Sequence, residues 1–320
     1  MNKAAELILK SQTISIMGHD DEDPDSIGSC FAMRLALLKL GKRATCYFSA
    51  PLEIHTAFMG DDYTVFEENM PCEADLCICL DCADIKRLGS RIKVFESAKN
   101  TLSIDHHETN TNFADVNIVD SKASAVAEIL YELFAVLNVS IDCDIAKNLY
   151  AAISADTGSF KYSNVTEKTM KIGAELIKTG INHAEIARLL HDTDPISVIR
   201  CKAEIMQGIE CYFGGKLVIV TASDALFEKY GITERDSGDI VNIARAAKGC
   251  SIAVSVRETE GKVKVSFRSN GEISVSGIAG KFDGGGHSKA AGAKIIGKSA
   301  DEVKRKVIEA CGEYLNDWIR

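Results

Sequence analysis

Three short apolar segments in the first third of the chain each lead to aspartate or histidine, and this pattern constrains the fold most strongly. The segments are TISIM, LCICL and TLSI, and they are followed within two residues by His19, Asp81 and Asp105. Such runs, separated by helical or polar stretches, are typical of repeated βα units with a parallel sheet. Ligands bind beyond the carboxyl ends of the strands in these sheets, so we expect these side chains to converge.

The remainder of the chain predicts a helical stretch and then a second sheet. Apolar residues recur at helical spacing from Ser124 to Thr193, and beyond Cys211 strands are predicted at KLVIVTAS, CSIAVSVRE, KVKVSFRS and AAGAKII. A chain of 320 residues is too long for one ordinary core. We therefore predict an α/β domain over 1–192 with helices on both faces of a parallel sheet. A helical linker over 193–212 and a smaller α+β domain over 213–320 complete the chain.

Charge is distributed unevenly along this chain. Five of the seven residues from 19 to 25 are acids, whereas residues 262–298 contain seven Lys or Arg and only two acids. This contrast indicates a cation site in the first domain and an anion site in the second. The net charge of −9 argues against a large nucleic-acid surface, so long duplex nucleic acid is not an expected partner.

The apolar and cysteine-containing segments indicate a cytoplasmic protein without a membrane partner. No apolar run approaches the ~20 residues that span a bilayer, and the N-terminus lacks the pattern of a signal peptide. The eleven cysteines are therefore expected to stay reduced. Cys77 and Cys79 are spaced for one face of a strand, and with Cys82 they lack the paired knuckles of a structural zinc site, which favours core packing.

The acidic segment offers oxygen ligands for a hard divalent cation. Pro24 biases Asp23 toward an extended conformation, so Asp23 and Asp25 can present their carboxylates to one place. The alternative is that Asp25 or Ser26 serves only as a helix N-cap. A divalent cation would also remove the like-charge repulsion among five neighbouring acids.

Asp81, His106 and His107 also have alternatives to metal binding. Asp81 at a strand end can cap a turn, and His106 and His107 can be solvated loop histidines. Because adjacent side chains on an extended backbone point to opposite faces, one histidine can bind metal while the other faces substrate. Asp156 closes a predicted helix, where the negative end of the helix dipole calls for a positive partner such as a metal ion.

The basic region contains the run Asp283-Gly284-Gly285-Gly286-His287, downstream of Phe267-Arg268-Ser269. Consecutive glycines allow backbone N–H groups to turn toward an anion, although a flexible turn is the alternative for glycines alone. With Arg268 and His287 in the same basic region, we predict a phosphate-binding site.

In order and spacing, these motifs resemble those of the DHH/DHHA1 phosphoesterases over nearly the whole chain. The matching segments are HDDEDPDSIGS, LDCAD, IDHHETN, SADTGSF, FRSN and GGGH. The closest resemblance is to short bacterial members that degrade oligoribonucleotides and remove the 3′-phosphate of 3′-phosphoadenosine 5′-phosphate. Glu22 departs from the pattern, because these relatives often carry proline at its position.

The resemblance implies two divalent cations, Mn²⁺ with Mg²⁺ or Co²⁺ as alternatives. One is held by His19, Asp23 and Asp81, and the second by Asp25, Asp81, His106 and Asp156. The resemblance also implies that the catalytic His107 faces the scissile phosphate and that Asp105 orients the metal-bound histidine. Substrate contacts are implied for Arg268, Ser269, Gly284, Gly285, Gly286 and His287, across a cleft between the domains.

The expected function is two-metal hydrolysis of short phosphorylated ribonucleotides. Two alternatives remain open from the sequence. The first is an inorganic pyrophosphatase or exopolyphosphatase, and the second is a nucleotide-binding regulator without catalysis. A homodimer is compatible with the sequence.

Overall fold

The computed structural model describes residues 1–238, 240–259 and 261–316. The chain divides into two compact units, Met1–Thr193 and Asp194–Arg320. Among the helices that are described, none is long and apolar enough to cross a membrane.

The first unit contains a six-stranded sheet in the order β3-β2-β1-β4-β5-β6, and all of its pairings are parallel. This confirms the predicted parallel sheet. Two short strands, β3 and β6, were not predicted. The strands are β1 (Thr13–Met17), β2 (Arg43–Phe48), β3 (Thr64–Val65), β4 (Leu76–Leu80), β5 (Thr101–Asp105) and β6 (Val116–Val119).

Helices cover both faces of this sheet, as predicted. They are α1 (Asn2–Lys10), α2 (Pro24–Lys39), α3 (Ile92–Glu96), α4 (Val126–Val136), α5 (Cys143–Asp156), α6 (Glu167–Lys178) and α7 (His183–His191). The main core joins α1, α2, α4 and α5 to one face, and α3 with the 3₁₀ segment Ile85–Arg91 packs on the other. A Cβ on Gly28 would lie 2.7 Å from the Asn148 carbonyl oxygen, so glycine lets α2 approach α5 closely.

The second unit contains a mixed sheet in the order β11-β12-β10-β9-β8-β7. Its strands are β7 (Glu210–Tyr212), β8 (Leu217–Ser223), β9 (Ile252–Thr259), β10 (Lys262–Ser269), β11 (Gly285–Gly286) and β12 (Ala290–Ile296). Strands β8 and β9 are parallel, and the other pairings are antiparallel. Val263, Val265 and Phe267 of β10 alternate into the core, which places Lys264 and Arg268 on the opposite face.

The helices of the second unit cover both faces of its sheet. They are α8 (Ile196–Gln207), α9 (Asp224–Tyr230), α10 (Val241–Arg245), α11 (Val275–Gly280) and α12 (Ala300–Asn316). The segment predicted as a helical linker contains α8, whose Cys201 and Ile205 pack in the same core as Val218 and Val220 of β8. The structure therefore makes α8 an integral part of the second unit.

Candidate metal centre

The candidate site lies at the carboxyl edge of the first sheet. Strands β1, β4 and β5 are neighbours in the sheet, and the residues that follow them are His19, Asp81 and His106. Parallel neighbours bring their carboxyl ends to one edge, which explains why these side chains meet. Asp81 has a left-handed φ of 54°, while its backbone N–H still bonds to the Ile104 carbonyl oxygen at 3.0 Å. Such a conformation in a non-glycine residue is typical of functional sites.

One ligand group consists of His19, Asp23 and Asp81. His19 Nε2 lies 3.5 Å from Asp23 Oδ2 and 3.5 Å from Asp81 Oδ2. The other oxygen of Asp23, Oδ1, accepts a hydrogen bond from the Ser26 N–H at 2.9 Å and caps α2. The N-cap is therefore Asp23, and not Asp25 or Ser26 as the capping alternative had it, because Asp23 has the extended backbone of a cap.

A second ligand group consists of Asp25, His106 and Asp156. One ligand atom from each residue lies within 4.8 Å of those of the other two, and His106 Nε2 is 3.3 Å from Asp156 Oδ2. Asp25 comes from the first turn of α2, and Asp156 is the last residue of α5. The tight packing of these helices at Gly28 thus brings the two carboxylates together.

Asp81 lies between the two groups. Its Oδ2 faces His19, and its Oδ1 lies 3.6 Å from His106 Nε2. Asp81 is only 2% exposed, and its Oδ1 accepts no hydrogen bond from any residue that the structure describes. A buried carboxylate oxygen without a donor is costly unless a cation satisfies it. The carboxylate of Asp81 could therefore contribute an oxygen to a cation in either group.

The electrostatics show a surplus of buried negative charge. Burial, together with the charge of Asp81, raises the pKa of Asp25 to about 7. The pKa of Asp156 is likewise raised, by burial and by the charge of Asp25. Burial opposes protonation of His106, but the charges of Asp156 and Asp81 outweigh it and raise the pKa of His106 to about 9. Without a metal ion, bound protons would balance part of the negative charge of these carboxylates.

These residues fit a pair of hard divalent cations. The donors are carboxylate oxygens and imidazole nitrogens, which suit Mn²⁺ and Mg²⁺ better than soft metals. Asp81 Oδ1 lacks a hydrogen-bond donor among the described residues, and the pKa of Asp25 is raised. Both observations indicate that these carboxylates lack a neighbouring positive charge that a cation could supply.

Asp105 and His107 form a second pair beside Asp81. Asp105 Oδ1 lies 2.7 Å from His107 Nδ1 and accepts the His106 backbone N–H at 2.8 Å, while Oδ2 accepts from Asn110 at 2.6 Å. The resemblance implied that Asp105 orients the metal-binding histidine, His106. The structure differs, because the ring that Asp105 contacts is that of His107.

Backbone groups that sequence patterns did not indicate support the ligands. His106 Nδ1 lies 3.1 Å from the Ala123 carbonyl oxygen, and the Val126 N–H donates to Asp25 Oδ2 at 2.7 Å. Asn164 Nδ2 donates to the carbonyl oxygens of Ser124 and Asp156. The segment 123–126 thus holds two ligand side chains through its backbone. Backbone partners carry no sequence signal, and among these groups Asn164 alone acts through its side chain.

Of the five acids of residues 19–25, only Asp23 and Asp25 join the candidate ligand groups, so cations there do not relieve the repulsion among all five as expected. Asp23 and Asp25 join different ligand groups. The side chain of Asp20 is half exposed, and Asp21 is exposed with a left-handed φ of 59°. Glu22 turns away and pairs with the buried Arg91 at 2.7 Å. Repulsion is therefore relieved in part by an internal arginine.

In the second unit, Arg268 and Ser269 end strand β10. Arg268 pairs in the ladders with Ala253 and Ala290, and its Nη1 donates to the Phe267 carbonyl oxygen at 3.1 Å. Ser269 is buried, and its N–H donates to the Lys289 carbonyl oxygen at 2.9 Å. Arg268 is thus carried on a regular, well-supported strand.

The glycine run Gly284–Gly286 packs against β12. A Cβ on Gly284 would lie 2.2 Å from the Gly292 carbonyl oxygen, and one on Gly286 would lie 2.6 Å from that of Ala290. Gly286 also has a φ of 137°. Close backbone approach therefore requires glycine at these two positions, whereas Gly285 is open to its surroundings. His287 follows directly and is partly exposed.

Comparison with known proteins agrees with this organisation. Two family models match: the DHH family N-terminal domain over residues 13–153 and the DHHA1 domain over residues 214–316. The bifunctional oligoribonuclease and PAP phosphatase NrnA of Thermus thermophilus is 35% identical over 94% of this chain and 90% of its own length. The protein of the same name from Bacillus subtilis is 29% identical over 94% and 96%.

A solved structure shows the same fold. The exopolyphosphatase-related protein from Bacteroides fragilis has a TM-score of 0.89 at 22% identity, covering 98% of this chain and 97% of its own. At this level of identity, the likeness concerns the fold alone. The family models and the Thermus relative carry the assignment: this chain belongs to the DHH family.

Proposed function

We propose that this protein is a metal-dependent phosphoesterase that hydrolyses short oligoribonucleotides and the 3′-phosphate of 3′-phosphoadenosine 5′-phosphate. The observation that carries the proposal is the placement of Asp81, whose two carboxylate oxygens face two separate groups of histidine and carboxylate ligands. The substrate class is taken from the names of the relatives in Thermus thermophilus and Bacillus subtilis.

The proposed ligands form two sets that share Asp81. The first set adds His19 and Asp23, and the second adds Asp25, His106 and Asp156. When bound, two divalent cations lower the pKa of coordinated water and neutralise charge on the phosphoryl group. Mn²⁺ is our proposed metal because the donor set combines imidazole with hard oxygen ligands.

His107 is the proposed catalytic histidine. Asp105 accepts from Nδ1 of this ring and is itself held by Asn110, so the carboxylate that orients His107 is fixed in place. With Nδ1 donating to Asp105, Nε2 is the ring nitrogen left to act on substrate, and it donates a proton to the leaving oxygen when the ring is doubly protonated. Asp105 therefore acts on the reaction by positioning His107.

The proposed substrate-binding residues of the second unit are Arg268, Ser269, Gly284, Gly285, Gly286 and His287. A guanidinium group binds phosphate through two parallel hydrogen bonds. The strand support of Arg268 and the close packing of the glycines indicate that this region is rigid before substrate arrives. As part of the proposal the enzyme works in the cytoplasm, where its eleven free cysteines remain reduced.

A panel of substrates tests the proposal. Under one Mn²⁺ concentration, kcat/KM is measured for a 5′-phosphorylated diribonucleotide, 3′-phosphoadenosine 5′-phosphate, a long single-stranded RNA and pyrophosphate. We expect the first two to exceed the others, because an acidic chain with one compact basic region offers few phosphate contacts to a long polyanion. A higher value for pyrophosphate or for long RNA would contradict the proposed substrate class.

A further inference from the structure

Glu22 is the acid of residues 19–25 whose charge is neutralised inside the protein. Its side chain is 4% exposed, and Oε1 lies 2.7 Å from Arg91 Nη1. Both carboxylate oxygens also accept hydrogen bonds from Ser49, Oε1 from the backbone N–H at 2.7 Å and Oε2 from the hydroxyl at 2.6 Å. Glu22 thus anchors the loop after β1 to the end of β2.

Arg91 also bonds to the backbone on both sides of this connection. It is fully buried, and its Nη2 donates to the His19 carbonyl oxygen at 2.7 Å while Nη1 donates to the Tyr47 carbonyl oxygen at 2.9 Å. The guanidinium therefore holds the backbone of a residue whose imidazole belongs to the first ligand group. Its five donors in a rigid plane allow one side chain to fix several acceptors at once.

The segment that carries Arg91 follows the same loop closely. The Asp20 N–H donates to the Arg87 carbonyl oxygen at 2.5 Å. Gly89 has a left-handed φ of 58°, and a Cβ there would lie 2.9 Å from the Asp20 carboxylate. Residues 87–91 therefore hold the loop 19–22 through its backbone, through close packing and through the buried ion pair.

We infer that the Glu22–Arg91 pair is a positioning device that sets the cation affinity of the His19–Asp23–Asp81 group. Neither residue belongs to a ligand group, but both fix the loop 19–22, which contains His19 and leads directly into Asp23. Partners of this kind, one step removed from the metal, change metal affinity or activity by about 10- to 100-fold when they are mutated. The inference rests on the proposed function, because it takes this group to be a metal site.

The test compares Mn²⁺ binding by titration calorimetry in the full chain and in three variants. The variants are Glu22→Gln, Arg91→Met and the double variant Glu22→Leu/Arg91→Met. We expect each variant to raise the dissociation constant of one of the two Mn²⁺ ions by about 10- to 100-fold. The dissociation constant of the other ion should be unchanged. The double variant keeps the test decisive if a single variant fails to fold, since removing both members of the pair leaves no buried charge without its partner.

Thermal unfolding in EDTA separates positioning from folding. We expect the double variant to unfold cooperatively at a lowered temperature, because the His19 and Tyr47 carbonyl oxygens lose a donor, and to bind Mn²⁺ weakly at temperatures where it is fully folded. Lys93→Met is the control, because Lys93 lies in the adjoining helix in an exposed pair with Glu68, and its Mn²⁺ binding should be unchanged. Wild-type affinity for both ions in the folded double variant would overturn the inference alone. No Mn²⁺ binding by the wild-type protein would overturn the proposed function, and this inference with it.

Discussion

The two groups of residues singled out from the sequence are held by the fold in different ways. In the first unit, Asp25, Asp81 and His106 are all buried, and their surroundings leave negative charge unsatisfied. In the second unit, Gly285 and Gly286 are exposed, and His287 is partly exposed. The first group is buried and carries unbalanced negative charge. The glycines and His287 of the second group are exposed or partly exposed, and the backbone of the sheet supports them.

This difference separates two physical tasks. Dense like charge destabilises a protein unless a cation or proton balances it. The first unit fixes its candidate metal ligands with buried partners: the Val126 N–H bonds to Asp25, and Arg91 bonds to the His19 carbonyl oxygen. The anion site proposed for the second unit has no such electrostatic penalty, and glycine allows its backbone to pack closely. Changes in the first unit should therefore act through metal binding, and changes in the second through substrate capture.

Replacement of Asp81 should produce the largest effect. Asp81→Asn removes the charge shared by both ligand groups, so we expect activity to fall by more than about 100-fold, beyond the range for residues one step removed from a metal. Mn²⁺ content measured by elemental analysis should fall as well. Activity of the purified variant is measured with excess Mn²⁺, and circular dichroism establishes that it is folded.

Asp84→Asn is the matched control for that substitution. Asp84 follows the same strand, but its carboxylate only accepts the Lys86 N–H and caps a 3₁₀ segment. Because asparagine caps equally well, activity and metal content should be close to wild type. Near wild-type activity in Asp81→Asn would instead rule out the two-metal assignment.

The sequence predicted the parts of this arrangement that depend on local pattern. Apolar strands ending in His19, Asp81 and Asp105 indicated a parallel sheet, and that prediction is confirmed. The sequence did not predict that the Glu22 side chain points away from the other acids. Its partner Arg91 is distant in the chain and belongs to no periodic pattern. Support from backbone groups, such as the Ala123 carbonyl oxygen, was equally hidden, because every residue type has the same backbone atoms.

Metal binding should change the pH dependence of stability. Asp25 and Asp156 have raised pKa values, so between pH 5 and 8 the metal-free folded state holds more protons than the unfolded state. The raised pKa of His106 acts in the same direction, because its contribution is complete below about 6.5 and is lost as pH rises through about 9. These groups therefore make metal-free protein less stable as pH rises from 5 to 8.

Mn²⁺ must displace those protons, so the stabilisation that it gives should grow over the same pH range. At 100 times the dissociation constant it should reach about 2.7 kcal/mol. Thermal unfolding at pH 5, 6, 7 and 8, with EDTA or with Mn²⁺, measures the difference. Hydrogen exchange should slow at the Val126 amide and remain unchanged in β9 and β10. A Mn²⁺ effect that is independent of pH would contradict the proton competition.

Replacement of Arg268 should give the smallest of the three effects and leave the metal centre intact. Arg268→Ala removes charge-assisted hydrogen bonds worth about 1.5–3 kcal/mol, so KM for a short 5′-phosphorylated ribonucleotide should rise by about tenfold or more while Mn²⁺ content stays constant. Arg268→Lys should recover only part of the loss, because lysine keeps the charge but not the planar pair of donors. Lys262→Ala is the control, since Lys262 lies at the other end of β10 on the same face. Loss of Mn²⁺ from folded Arg268→Ala would end the contrast between the two regions, because a residue assigned to substrate capture would then be supporting the metal centre.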